Sequence, residues 1–139
     1  MRAPLAAFAL IALAGPALAS EEPDKGKEQR RITSAETYVT APTLSAPITA
    51  NYVFAGLLVV DLGFDVPDAK LRTRVGVLQP KLTDAMRSAL ADYTYARFRP
   101  GGAPDPDRIE SMLQQAADRT LGVAGAKVLL ANVMVQRGR

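Results

Sequence analysis

Asn51–Asp65, NYVFAGLLVVDLGFD, is the stretch on which the fold turns. It is rich in β-branched, aromatic and aliphatic residues and free of Pro, which suits a pleated strand. Period two places Tyr52, Phe54, Gly56, Leu58, Val60, Leu62 and Phe64 on one face. Val53, Ala55, Leu57, Val59, Asp61, Gly63 and Asp65 fall on the other. Apolar residues on both faces predict a long inner strand, covered at least partly on each side. A helix would carry Gly56 and Gly63 in its interior at about 1 kcal/mol each relative to Ala. A membrane span needs about 20 apolar residues, and Asp61 interrupts the run before that length.

Working outward from this strand, Thr37–Thr49 (TYVTAPTLSAPIT) contains Pro42 and Pro47. Proline donates no ladder hydrogen bond, so this segment reads as an edge strand in two short pieces, 38–41 and 44–49. A turn at Ala50-Asn51 returns it antiparallel to the long strand. Downstream, Leu71, Val75, Leu78, Leu82, Met86, Ala89 and Tyr93 recur every three or four residues, one face of a helix. Pro80 predicts either a kink or two helical pieces meeting near 77–80, with Gly76 easing the bend.

The segment FRPGGA, 98–103, stops that helix. Asp105 then offers an N-cap with Pro106 at the first helical position, and Asp107 with Glu110 an alternative capping box. Ile109, Leu113, Ala116 or Ala117, and Leu121 form the buried side of a second helix, which Gly122 ends. The final AKVLLANVMVQ alternates as a closing strand, with Leu129, Ala131, Val133 and Val135 on one face. The order predicts an α+β fold: an antiparallel sheet of about three strands with two main helices on one face, the first long and kinked or broken at Pro80.

With 139 residues, the chain is long enough for one domain with a real core. Its net charge of +3 is mild, and the basic residues form no stripe with interleaved aromatics, which speaks against nucleic acid as a partner. Cys and His are both absent. That removes disulfides, thiolate chemistry, the commonest metal ligand and the commonest general base.

Met1–Ser20 has the make-up of a secretory signal peptide: Arg2, an apolar run from Leu5 to Ala14, Gly15-Pro16, then Ala17-Leu18-Ala19. We expect residues 1–19 to be removed, a mature chain starting at Ser20, and a periplasmic location. The alternative is an uncleaved N-terminal anchor in the inner membrane. Residues 20–36 hold nine charged side chains and only Ile32 as a bulky apolar one, the composition of a flexible linker. Its Lys25, Lys27, Arg30 and Arg31 offer a weak contact to an anionic membrane surface. Residues 37–137 form the single folded domain.

The residues whose types can carry chemistry read more simply as structure. Asp61 and Asp65 would stand roughly 13 Å apart on an extended strand, at about 3.3 Å per residue, too far to share a proton. With Asp68 they read as a solvated strand end and a helix cap. Asp105, Asp107 and Glu110 lack the glycine and the terminal glutamate of a cation loop. Ser45, Ser88 and Ser111 have neither a His nor a Ser-x-x-Lys motif to activate them, and Gly101-Gly102 is not followed by the Lys-Ser or Lys-Thr of a phosphate loop. We expect no catalytic residues, no metal and no cofactor, hence not an enzyme. The alternative function is a soluble periplasmic module that binds a small apolar ligand or envelope component, lined by Tyr52, Phe54, Tyr93 and Phe98. For assembly, the interrupted edge is apolar at Tyr38, Val39, Leu44 and Ile48, and it carries no charge between Thr37 and Ala50. These four residues are the candidate interface of a homo-oligomer, closing into a ring if the contact is head-to-tail.

The order of features resembles the periplasmic domain of the flagellar basal-body-associated FliL family. The likeness runs from about Tyr38 to Gln136. It comprises the extended YVTAPTL, the long strand FAGLLVVDLGFDV, the Pro80-Lys81-Leu82-Thr83-Asp84-Ala85 section, a second short helix, and a tail in Val133-Met134-Val135-Gln136. The resemblance implies a stomatin-like α+β domain that forms rings around the flagellar stator, influences motility and has no catalytic residues. Flagellar stator and basal-body proteins would then be its partners. Members of that family keep an N-terminal transmembrane helix, where this chain carries the shorter signal-like segment.

Overall fold

A computed structural model describes residues 36–139 of the chain. The expectations for the signal segment and for nearly all of the linker lie outside the described residues. The elements are β1 (Tyr38–Thr40), β2 (Leu44–Ala50), β3 (Val53–Asp65), α1 (Ala69–Val77), α2 (Gln79–Ala96), α3 (Pro106–Leu121) and β4 (Lys127–Arg137).

The long strand is the inner one. β3 pairs antiparallel with β1 and β2, which follow one another along one of its edges, and with β4 along the other. β1 and β2 are the two halves of one interrupted edge strand, split at Ala41-Pro42-Thr43. Tyr38 opposes Asp65 in the first half, and Leu44 opposes Val60 in the second. The fold of the described residues is therefore α+β, with three helices on a four-stranded antiparallel sheet.

The helical stretch is two helices rather than one bent rod. Leu78, at φ −91° and ψ 7°, stands between α1 and α2, and Pro80 falls in the first turn of α2. In a first turn the missing proline N–H has no intrahelical partner to lose. The Leu78 N–H still donates to Arg74 O and Leu82 N–H to Leu78 O, both at 2.9 Å, so the chain changes direction with little loss of bonding. The caps act locally. Asp68 accepts from the Lys70 N–H at the start of α1, and Asp105 from the Arg108 N–H at the start of α3, each at 3.2 Å. α3 ends at Gly122, with φ 74°.

One core lies between the sheet and the helices. From the sheet it takes Leu44, Ala46, Ile48, Leu58, Val60, Leu62, Phe64 and Val128. From the helices it takes Val75, Leu82, Met86, Leu90, Ile109, Leu113 and Leu121, among others. Leu90 takes the fully buried position in α2, while Ala89 packs partly buried beside it. At about 25 cal/mol per Å² of apolar area removed from water, each of the large buried side chains contributes about 1.5–3 kcal/mol.

Two β-bulges shift the strand faces away from strict alternation. Ile48 opposes Gly56 while Thr49 opposes Phe54, so Ala55 is an extra residue in β3. Phe54 thereby joins Thr49 on the side away from the helices, instead of following Leu58 and Val60 into the core. In β4, Leu130 opposes Leu62 and Asn132 opposes Asp61, so Ala131 is the extra residue. Leu129, opposite Gly63, therefore does not share the face of Val133 and Val135; Val128 and Leu130 do. Each bulge inverts the parity of everything beyond it, which period-two reading cannot see. Gly56 sits at the first bulge, where the Gln136 carbonyl of β4 comes so near that any side chain would collide with it.

Candidate interaction surface

Helices cover one face of the sheet. On the other, Leu57, Val59 and Leu129 are half-buried, and Phe54 and Met134 are exposed. This outer face is graded along β3. Its apolar half adjoins the β2–β3 hairpin. Its polar half is built around Asp61, whose Oδ1 accepts from the Thr43 hydroxyl at 2.6 Å and whose Oδ2 accepts from Asn132 Nδ2 at 3.5 Å. Asp61 is thus no strand end, since β3 continues to Asp65. Its carboxylate spans the sheet, joining the gap between β1 and β2 to β4 on the opposite edge. Asp68, by contrast, caps the following helix as expected.

The hairpin is a two-residue turn, Asn51-Tyr52, with φ of 50° and 64°. Two positive φ values match the twist of antiparallel strands, and Asn tolerates them readily. Tyr does not. An L side chain in the left-handed region costs about 1–2 kcal/mol, and the Tyr52 ring recovers none of this by packing, because it is fully exposed. Val53 at 67% and Phe54 at 54% exposure extend the apolar tip.

The four aromatic residues expected to line a ligand site do not converge. Tyr93 and Phe98 belong to the core, their ring centroids 6.2 Å apart with planes at 42°. The Tyr93 hydroxyl accepts from the Asp105 N–H at 2.9 Å, tying the α2–α3 loop to α2. Tyr52 and Phe54 stand at the hairpin tip. Phe98 does form part of a small open recess of about 330 Å³ with Ile48, Ala55, Gly101 and Arg137, and neither Tyr52 nor Phe54 lines it.

The candidate oligomer interface is also redistributed. Leu44 and Ile48 are 0% and 2% exposed and face the helices, so their side chains are not available to a neighbour. The physical reason is that β2 lies under α2, and its alternate residues Leu44, Ala46 and Ile48 are drawn into the core. Tyr38 and Val39 are half-buried in β1. What this edge offers a neighbour is main chain, together with Ser45 and Thr49 on the outer face.

Two contributors were invisible in the sequence pattern. The Gln114 side-chain amide donates to Ala126 O and accepts from the Val128 N–H, both at 2.8 Å, so a glutamine on α3 acts as a short partner strand for the start of β4. Arg137 pairs with Gly56, and the Gly138 N–H donates to Ala55 O at 2.9 Å, which brings the arginines of the last residues to the hairpin tip. Among the described residues, no three carboxylates gather as a metal-ligand set, and no helix is long and apolar enough to cross a membrane.

No protein-family model matches the chain, and no curated protein matches it.

Proposed function

We propose that this chain is a non-enzymatic, periplasmic accessory of the flagellar basal body and stator, one that works by presenting its open sheet face to a protein partner. The observation that carries the reading is that face itself. Phe54, Leu57, Val59 and Met134 lie on the side of the sheet opposite the helices, and Phe54 and Met134 are exposed. Apolar side chains clustered on one open face are a common mark of an interaction site. The likeness of residues 38–136 to the FliL family supplies the motor as the setting. A homo-oligomeric ring would form through sheet edges, which supply unpaired main-chain groups.

A clean deletion strain on soft agar tests the setting, and Leu57→Asp with Val59→Asp in the chromosomal copy tests the face. Reduced swimming and reduced stator retention in both strains are the expected result. Unchanged motility at low and high agar in the deletion strain would rule the motor out. Motility lost on deletion but retained in the double variant would rule out the sheet face.

A further inference from the structure

The end of the sheet around the β2–β3 hairpin combines three features, of which the proposed partner face uses only Phe54. The first is an exposed apolar tip, Tyr52, Val53 and Phe54. The second is cationic: Arg137 opposes Gly56, and Arg139 follows Gly138, which is bonded to Ala55. Both arginines are exposed. The third is the absence of opposing charge in the described segments that build this end. The segments that build this end, 48–60, 97–104 and 128–139, contain no Asp or Glu. Asp61, the next acidic residue along β3, is about 26 Å from Val53 at 3.3 Å per residue and is bonded to Thr43 and Asn132; Asp105 and Asp107 begin α3, where Asp105 is engaged as the cap and Arg108 stands beside them. Asp65 and Asp68 lie at or beyond the other end of β3, about 40 Å away at 3.3 Å per residue.

We propose that the β2–β3 hairpin tip docks onto an anionic lipid surface, with Tyr52 and Phe54 entering the headgroup region and Arg137 and Arg139 meeting the phosphates. Tyr suits that boundary because its ring is apolar and its hydroxyl remains wet. Guanidinium groups bind phosphate through paired N–H donors. Binding at an interface of this kind sums buried apolar area and attraction to anionic lipid, and both parts are present at one end of this molecule. An apolar protein groove would satisfy the tip alone, whereas a phosphate-bearing surface satisfies the tip and its arginines together. This goes beyond the motor reading and does not depend on it.

The chain contains no Trp, so Tyr52→Trp in the full-length protein places a unique fluorophore at the tip. Val123→Trp, in the α3–β4 connection at the far end, is the control. Each variant is mixed with vesicles of phosphatidylcholine alone, or of phosphatidylcholine and phosphatidylglycerol in equal parts, with brominated acyl chains as quencher. The expected result is a blue shift and quenching of the Tyr52→Trp variant on the anionic vesicles only, weakening as salt is raised, with the Val123→Trp variant silent. Adding Arg137→Gln and Arg139→Gln should weaken tip binding about five-fold per arginine removed. An unquenched tip overturns the proposal, even if the chain sediments with vesicles through another segment. Equal quenching of both variants, or tip quenching indifferent to lipid charge, overturns it as well. A blue shift seen with envelope proteins but not with vesicles assigns the tip to a protein partner and likewise overturns it.

Discussion

Tyr38 on β1 covers Gly63 on β3 so closely that a methyl group added to Gly63 would overlap the phenol ring. The two are diagonal neighbours, since Tyr38 opposes Asp65 while Gly63 opposes Thr40. A central strand gains little from a glycine by itself, but here the missing side chain is replaced by the aromatic ring of the next strand. This contact is what buries Gly63 on a face the helices do not reach, and it holds the three-residue β1 onto the sheet.

The first prediction follows from that contact. Gly63→Ala should lose about 1–3 kcal/mol through overpacking, read as a lower urea midpoint at unchanged slope. Tyr38→Ala should lose stability on its own. The double variant should lose less than the sum of the two, because the residues are in contact and share the same space.

Gln114→Leu should destabilise the α3–β4 junction by about 1–3 kcal/mol, since it leaves Ala126 O and the Val128 N–H without their amide partner. Hydrogen exchange locates the effect: the Val128 amide should exchange faster while those of Leu58 and Val60 remain protected.

Tyr52→Gly should stabilise the isolated protein by about 1 kcal/mol, because glycine accepts a positive φ without the side-chain clash. Thermal unfolding measures it. A gain in stability alongside loss of vesicle binding would separate the tip's function from its folding.

Ile48→Lys should prevent folding, since it places a charge in a fully buried position between β2 and the helices. Ser45→Lys, three residues away on the outer face, should change stability by no more than about 0.5 kcal/mol. Far-UV circular dichroism distinguishes the two. Any test of association along this edge therefore belongs at Ser45 or Thr49, because a lysine at Ile48 would unfold the chain before it could report on a contact.

Much of the architecture was legible along the chain because its causes are local. Pro42 marks the point where the edge strand breaks in two, while Pro47 stays inside β2, tolerated because an edge strand has one side with no ladder partner. Asp68, Asp105-Pro106 and Gly122 bound their helices through bonds only a few residues long. The three- and four-residue spacing from Leu71 to Tyr93 survives the break at Leu78, and it identified Leu71, Val75, Leu82, Met86 and Tyr93 as core residues. The rest depended on which strands meet. The bulges at Ala55 and Ala131 arise only when β3 is paired with β2 and β4, and each turns the residues beyond it over, sending Phe54 and Leu129 to the open face. Leu44 and Ile48 look like an exposed apolar edge until α2 is laid across β2. The same holds for Tyr38 over Gly63, Gln114 against β4, and Arg137 beside the hairpin: partners far apart in sequence that no periodicity joins. Side-chain spacing determined which residues form strands and helices; the packing of those elements decided which faces are buried and which remain open to a partner.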